Sequence, residues 1–259
     1  YDVERFVEVV IEPGVIEIEV QRAILRRIST DGGVTWSAEI QLPTGSTNDY
    51  DPAIAQTAGG ALMLVFQSDR TGNSDLWYKT SADGGATWSA DRPLTTSPAS
   101  DRSPTLVQAT DGRILVAWVR EEGVLLQRSS MDAGLTWSVE RQVAPCCRRQ
   151  PSLATVGGDL WLAYEKDEDI WVRRSTDSGT TWFAETRFTR YVAEDSVATL
   201  ASWPSGGPGL AWHSARSGNR DIWYGRPGER EDDDPPPYVD WMRRLPECGL
   251  DSNAVVTFR

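Results

Sequence analysis

Four aspartates recur in one fixed setting. Asp31, Asp83, Asp132 and Asp177 each stand third in an octapeptide Ser-x-Asp-x-Gly-x-Thr-Trp, running Ser29 to Trp36, Ser81 to Trp88, Ser130 to Trp137 and Ser175 to Trp182. A carboxylate so placed can accept hydrogen bonds from backbone N–H groups a few residues on, or it can ligate a cation such as calcium. The glycine supplies positive φ, and the indole can fold over the turn and close its apolar end. The octapeptide therefore reads as a hairpin turn with its own small core. Asp31, Trp36, Asp83, Trp88, Asp132, Trp137, Asp177 and Trp182 are expected to be structural.

Little else in the chain points to metal or thiol chemistry. His213 is the only histidine, and the three cysteines are Cys146, Cys147 and Cys248. A zinc site would have to use nearly all of them at a spacing that fits no zinc pattern, so no metal and no cofactor are expected. His213 follows Trp212 on an apolar run and reads as a packed side chain rather than a base. In an exported protein, one of the adjacent cysteines could bridge to Cys248. Three free thiols is the other reading.

The elements that position these residues are repeats. The four aspartates are spaced 52, 49 and 45 residues apart, a period of blades or solenoid units rather than of duplicated domains. Each octapeptide is preceded by short apolar runs bounded by Gly-containing turns. Examples are Ala61–Phe66 and Asp75–Thr80, Ile114–Trp118, and Leu160–Tyr164. None has helical spacing, so successive antiparallel strands are expected and helix should be nearly absent. In the first unit, Glu4–Ile11 reads as the inner strand and Val15–Val20 as the second. A fifth unit lacks the octapeptide, but Ser214–Tyr224 matches Ser68–Tyr78 at most positions. Five four-stranded blades over residues 1–228 are expected. Residues 229–237 read as an acidic, proline-rich linker. Residues 238–259 read as a blade-closing strand around Ala254–Phe258 or as the start of another β-module.

Composition narrows the partners. With 26 Lys+Arg against 38 Asp+Glu the formal charge is −12, which disfavours nucleic acid, since phosphate binding draws on Lys and Arg. Hydrophobic residues make up 39% of the chain and aromatic residues 9%, enough for a packed core. No apolar run is long enough for a membrane span. The N-terminus lacks the layout of a signal peptide, which suits a trimmed chain or one never exported.

The octapeptide resembles the Asp box, or bacterial neuraminidase repeat, of the sialidase superfamily, and four copies make the resemblance specific. The resemblance implies an all-β fold, a β-propeller whose boxes join the third and fourth strands of each blade on the outer rim, with any ligand face at the hub. It also implies candidate residues. Sialidases open a blade with Arg-Ile-Pro, whose arginine grips the sialic-acid carboxylate. Arg102 in Arg102-Ser103-Pro104 and Arg149 in Arg149-Gln150-Pro151 match that arginine, and converging guanidinium groups suit bidentate carboxylate recognition. Pairing with nearby Asp101 or Glu194 is the other reading. By the same resemblance Asp69 or Asp75 is the candidate acid, Tyr50 the candidate nucleophile and Glu165 its partner carboxylate. The first unit has Val3-Glu4-Arg5-Phe6 in place of Arg-Ile-Pro. The expectation is therefore a non-catalytic, extracellular or cell-surface propeller that binds a glycan or another extracellular protein. The alternative is an exo-sialidase-like glycoside hydrolase.

Overall fold

The computed structural model describes residues 2–12, 15–29, 31, 33–42, 48–121, 123–145, 150–190, 194–202 and 206–227. These form a β-propeller of antiparallel sheets, with no helix among the described residues. The first sheet holds β1 (Asp2–Glu12), β2 (Val15–Arg26) and β3 (Ile40–Gln41). The second holds β4 (Asp49–Gln56), β5 (Leu62–Ser68), β6 (Asp75–Ser81) and β7 (Arg92–Pro93). The third holds β8 (Asp101–Gln108), β9 (Ile114–Arg120), β10 (Val124–Ser130) and β11 (Arg141–Pro145). The fourth holds β12 (Ser152–Val156), β13 (Asp159–Lys166), β14 (Asp169–Ser175) and β15 (Thr186–Arg187). The fifth holds β16 (Asp195–Ser202), β17 (Pro208–Ser214) and β18 (Asp221–Gly225). Strands follow one another in chain order across every sheet.

Period-two alternation explains the apolar runs. On β5, Leu64 and Phe66 pack with Ile24 and Leu42 of the first sheet, while Met63 and Val65 pack with Ile114, Val116 and Trp118 of the third. On β9, Leu115, Ala117 and Val119 turn the other way, onto Leu160, Leu162 and Tyr164. Ala163, Ile170 and Val172 then meet Leu200, Leu210 and Trp212 of the fifth sheet. Both faces of each middle sheet are buried, so its second strand is apolar at nearly every position instead of alternating.

The packing runs from sheet to sheet in order: β2 on β4, β4 on β8, β8 on β12 and β12 on β16. Among the described residues the fifth sheet makes no comparable contact with the first.

The first sheet departs from its sequence reading. β2 continues from Val15 to Arg26, and Leu25 and Arg26 pair with Gln41 and Ile40 just as Trp77 and Tyr78 pair with Pro93 and Arg92. β2 is therefore the strand that feeds the octapeptide, in the third position, and β1 takes the second. Its Val/Glu alternation suits any half-buried strand, which is why sequence alone misplaced it. The strand expected at Ala254–Phe258, the linker and the three cysteines lie outside the described residues.

Candidate functional site

The starts of the inner strands carry a recurring ionic device. Asp49, Asp101 and Asp195 open β4, β8 and β16, and all three are fully buried. Arg70 Nη2 donates to both Asp49 oxygens at 3.0 and 3.2 Å. Arg120 binds Asp101 through Nε at 2.8 Å and Nη2 at 2.9 Å, and Arg216 Nη2 donates to Asp195 at 3.0 Å. Each arginine lies at the end of its sheet's second strand or two residues beyond it, so the antiparallel register brings it back beside the start of the first. Further contacts hold these cations. Arg70 pairs with Asp91 at 2.8 Å and lies 4.3 Å from the Trp77 ring centroid. Arg120 pairs with Glu140 at 3.0 Å, and Arg216 lies 4.7 Å from the Trp223 ring centroid. The hydrogen bonds to Asp101 raise the Arg120 pKa, with burial acting against them.

Two residues further on, each of these strands carries a bulge. Asp51, Ser103 and Val197 adopt φ of 49°, 52° and 51°, at the register shifts between Tyr50 and Ala53, Arg102 and Thr105, and Ser196 and Thr199. Left-handed backbone at three non-glycine residues, one of them β-branched, is strained and re-aims the side chains there. Across neighbouring sheets the Ser103 hydroxyl donates to Asp51 Oδ2 at 3.4 Å. The bulges thus bring polar groups of two blades together.

The sequence-expected residues fall around this level. The Tyr50 hydroxyl and Ser74 Oγ are 2.8 Å apart, and Gln67 Nε2 donates to both, at 2.8 and 2.9 Å. Glu165 is buried on β13 opposite Ile170, on the fourth sheet, with the third sheet between it and Tyr50. Asp69 accepts from Asn48 Nδ2 at 3.0 Å. Asp75 is buried, takes hydrogen bonds from Thr71 and Thr95 at 2.8 and 3.3 Å, and has its pKa pushed up by burial. Its place is repeated by Asp169, bonded by Thr189, and by Asp221, bonded by Ser217, so it heads the third strand of its blade. Arg102 is half exposed and pairs with Glu121 at 3.3 Å. Arg149 lies outside the described residues.

The four octapeptides share one hydrogen-bond scheme. The Ser hydroxyl donates to Asp Oδ1 at 2.7–2.8 Å. The Thr N–H donates to the same oxygen at 2.8–2.9 Å, and the Thr hydroxyl donates to Oδ2 at 2.5–2.6 Å. The Thr hydroxyl is the largest cause holding Asp31, Asp83 and Asp132 at a pKa of about 2, and it lowers Asp177 too. No group of three or more His, Cys, Asp or Glu side chains placed to hold a metal occurs among the described residues.

Sequence reasoning missed where these turns dock. The Tyr78 hydroxyl on β6 donates to the carbonyl of Gly134, in the next blade's octapeptide, at 2.6 Å. Gln127 on β10 donates to the Gly179 carbonyl at 2.8 Å and accepts from Trp182 Nε1 at 2.7 Å. Trp137 packs edge-on to Tyr78 with ring centroids 5.5 Å apart. Gly134 has φ of 88°, and a Cβ there would lie 2.6 Å from Met63 and 3.2 Å from Tyr78, so only glycine lets the turn approach this closely. The signal available in the sequence was a polar or aromatic residue three positions before the serine of its own blade's octapeptide, Tyr78 before Ser81 and Gln127 before Ser130, and its partner is about one period away.

Residues 6–189 match the family described as "BNR repeat-like domain", and the chain belongs to that family. No curated protein matches it. Among solved structures it resembles a protein of unknown function from Dyadobacter fermentans, at 18% identity and TM-score 0.55, over 75% of this chain and 64% of that one. It also resembles the intramolecular trans-sialidase of Ruminococcus gnavus in complex with oseltamivir carboxylate, at 15% identity and TM-score 0.62, over 88% and 59%. A third is the leech intramolecular trans-sialidase complexed with 2,7-anhydro-Neu5Ac, at 18% identity and TM-score 0.61, over 82% and 37%. The likeness is one of fold, and the chain spans less than two thirds of each.

Proposed function

We propose that this member of the BNR repeat-like family is a non-catalytic propeller module, acting outside the cell, whose inner-strand starts present a rigid surface to a glycan or a partner protein. The observation that carries this reading is the set of three buried pairs, Asp49 with Arg70, Asp101 with Arg120 and Asp195 with Arg216. A carboxylate clamp needs guanidinium groups that a ligand can reach and whose charge is not already neutralised. These three are committed to their own aspartates, and the formal charge of −12 works against recruiting a second anion. The same pairs, with the bulges beside them, fix the backbone at the hub, which is what a binding scaffold requires.

The exo-sialidase reading draws on one observation, the half-exposed Arg102 next to the contact of Ser103 with Asp51. A fluorogenic sialoside assay over mildly acidic pH separates the two. The expected result is no turnover above that of Tyr50→Phe. Turnover that Arg102→Ala, Arg149→Ala or Tyr50→Phe abolishes would overturn the non-catalytic reading.

A further inference from the structure

Each octapeptide turn from the second sheet to the fourth rests on the sheet before it, at a repeated register position of that sheet's third strand. Arg26 meets Gly85, Tyr78 meets Gly134 and Gln127 meets Gly179. The second strand contributes Met63 beneath Gly134 and Leu115 beneath Gly179. The tryptophan of the incoming turn completes the fit, Trp137 against Tyr78 and Trp182 against Gln127.

On the fourth sheet the same two positions are Val172, whose β15 partner is Thr186, and Trp161, whose β14 partner is Arg174. Met63 pairs with Thr80 and Leu115 with Ser129 in that same register. The fifth blade has no octapeptide to set down there. Instead these two residues line a shallow pocket of about 320 Å³, together with Arg173, Arg174, Phe183 and Thr186. The pocket is the berth that a fifth turn would fill. Its walls are apolar, and its rim is basic: Arg174 is 47% exposed even while paired with Asp159.

We infer that this pocket takes the indole of Trp241. Trp223 stands where Trp77 and Trp171 stand, so Pro227 holds the position at which Ser81 and Ser175 open their turns. The chain leaves β18 against the fourth sheet, because a Cβ on Gly225 would lie 3.4 Å from the Phe188 ring. Trp241 is the single tryptophan after Pro227. Trp241 lies fourteen positions beyond Pro227, and that length spans at most about 50 Å, so the berth is within reach. Between them lies Glu229–Asp234, which carries five carboxylates to meet the half-exposed Arg174. Tethering makes the docking intramolecular and raises the effective concentration of the indole.

The test is ¹⁹F NMR of the full chain labelled with 5-fluorotryptophan. The Trp241 resonance is assigned by its loss in Trp241→Phe. The expected result is that this resonance is displaced from the position of free 5-fluorotryptophan. It returns toward that position in both Phe183→Ala and Ala184→Glu, while the resonances of the buried tryptophans stay in place. Both substitutions fall at exposed positions, and the unmoved resonances report the intact fold. The inference is overturned if the Trp241 resonance lies at the free position in the unmodified chain. It is equally overturned if neither substitution moves it, or if the resonance lost in Trp203→Phe responds in its place.

Discussion

The hydroxyl of Tyr78 donates a 2.6 Å hydrogen bond to the carbonyl of Gly134, which belongs to the turn of the following blade. The octapeptide turns are therefore joints between blades as well as caps on their own hairpins. Tyr78 is 4% exposed, and its loss leaves a buried carbonyl without its donor. Tyr78→Phe is expected to cost about 1–3 kcal/mol, the range for a buried group that loses its partner. Urea unfolding followed by circular dichroism measures this as a lower midpoint at unchanged m-value. An unshifted midpoint would show that the joint carries no stability.

The aspartates of the turns make the propeller sensitive to acid. In the folded chain Asp31, Asp83 and Asp132 hold their protons more weakly than the ordinary 3.8, at about 2. A depressed folded-state pKa stabilises the native state above the unfolded value, and the effect disappears as pH falls through the folded value. Stability is thus expected to drop between pH 3.8 and about 2 as these carboxylates protonate. Asp83→Asn should flatten that part of a plot of thermal midpoint against pH. A variant that keeps the full acid slope would assign the sensitivity to other groups.

The pair of Asp101 with Arg120 is the one most exposed to single substitution. Asp101 is fully buried and its two oxygens are bound by one guanidinium. Arg120→Ala is expected to cost about 3–5 kcal/mol, because it strands a charge that has lost its solvent. Asp101→Leu combined with Arg120→Met should recover most of that loss, since an apolar pair of similar volume removes the desolvation penalty altogether. Thermal unfolding of the two variants side by side checks this. A double variant no better than the single one would mean that the pair does more than neutralise itself.

Much of the architecture was legible because it is local. The octapeptide encodes its own hydrogen bonds between Ser29, Asp31 and Thr35 within a few residues, and the turns at Gly60 and Gly112 need the positive φ that glycine supplies. The first sheet was harder. The alternating Val and Glu residues of β1 and β2 specify a strand but not its rank in the blade, and that rank is set by the pairing of Leu25 and Arg26 with β3.

The candidate site was less legible. Arg102 stood out by its proline context, whereas the arginines that dominate the hub, Arg70, Arg120 and Arg216, stood out by nothing local. Each meets its aspartate only because an antiparallel hairpin returns the chain 19 to 21 residues later to where the strand began. Asp75 drew attention by its loop, and the structure places it as a buried acceptor at the head of its strand. Its duplicates at Asp169 and Asp221 were visible in sequence, but their shared bonding was not.

By itself, then, the chain's sequence determined the repeat, the strand content and the internal bonding of each turn, since these depend on contacts within a few residues. Which charges neutralise one another, which face of a blade receives the next turn and which face receives no turn among the described residues were decided by the tertiary structure. Those outcomes depend on sheet register and on the stacking of one blade against its neighbour, which bring together groups a full repeat apart.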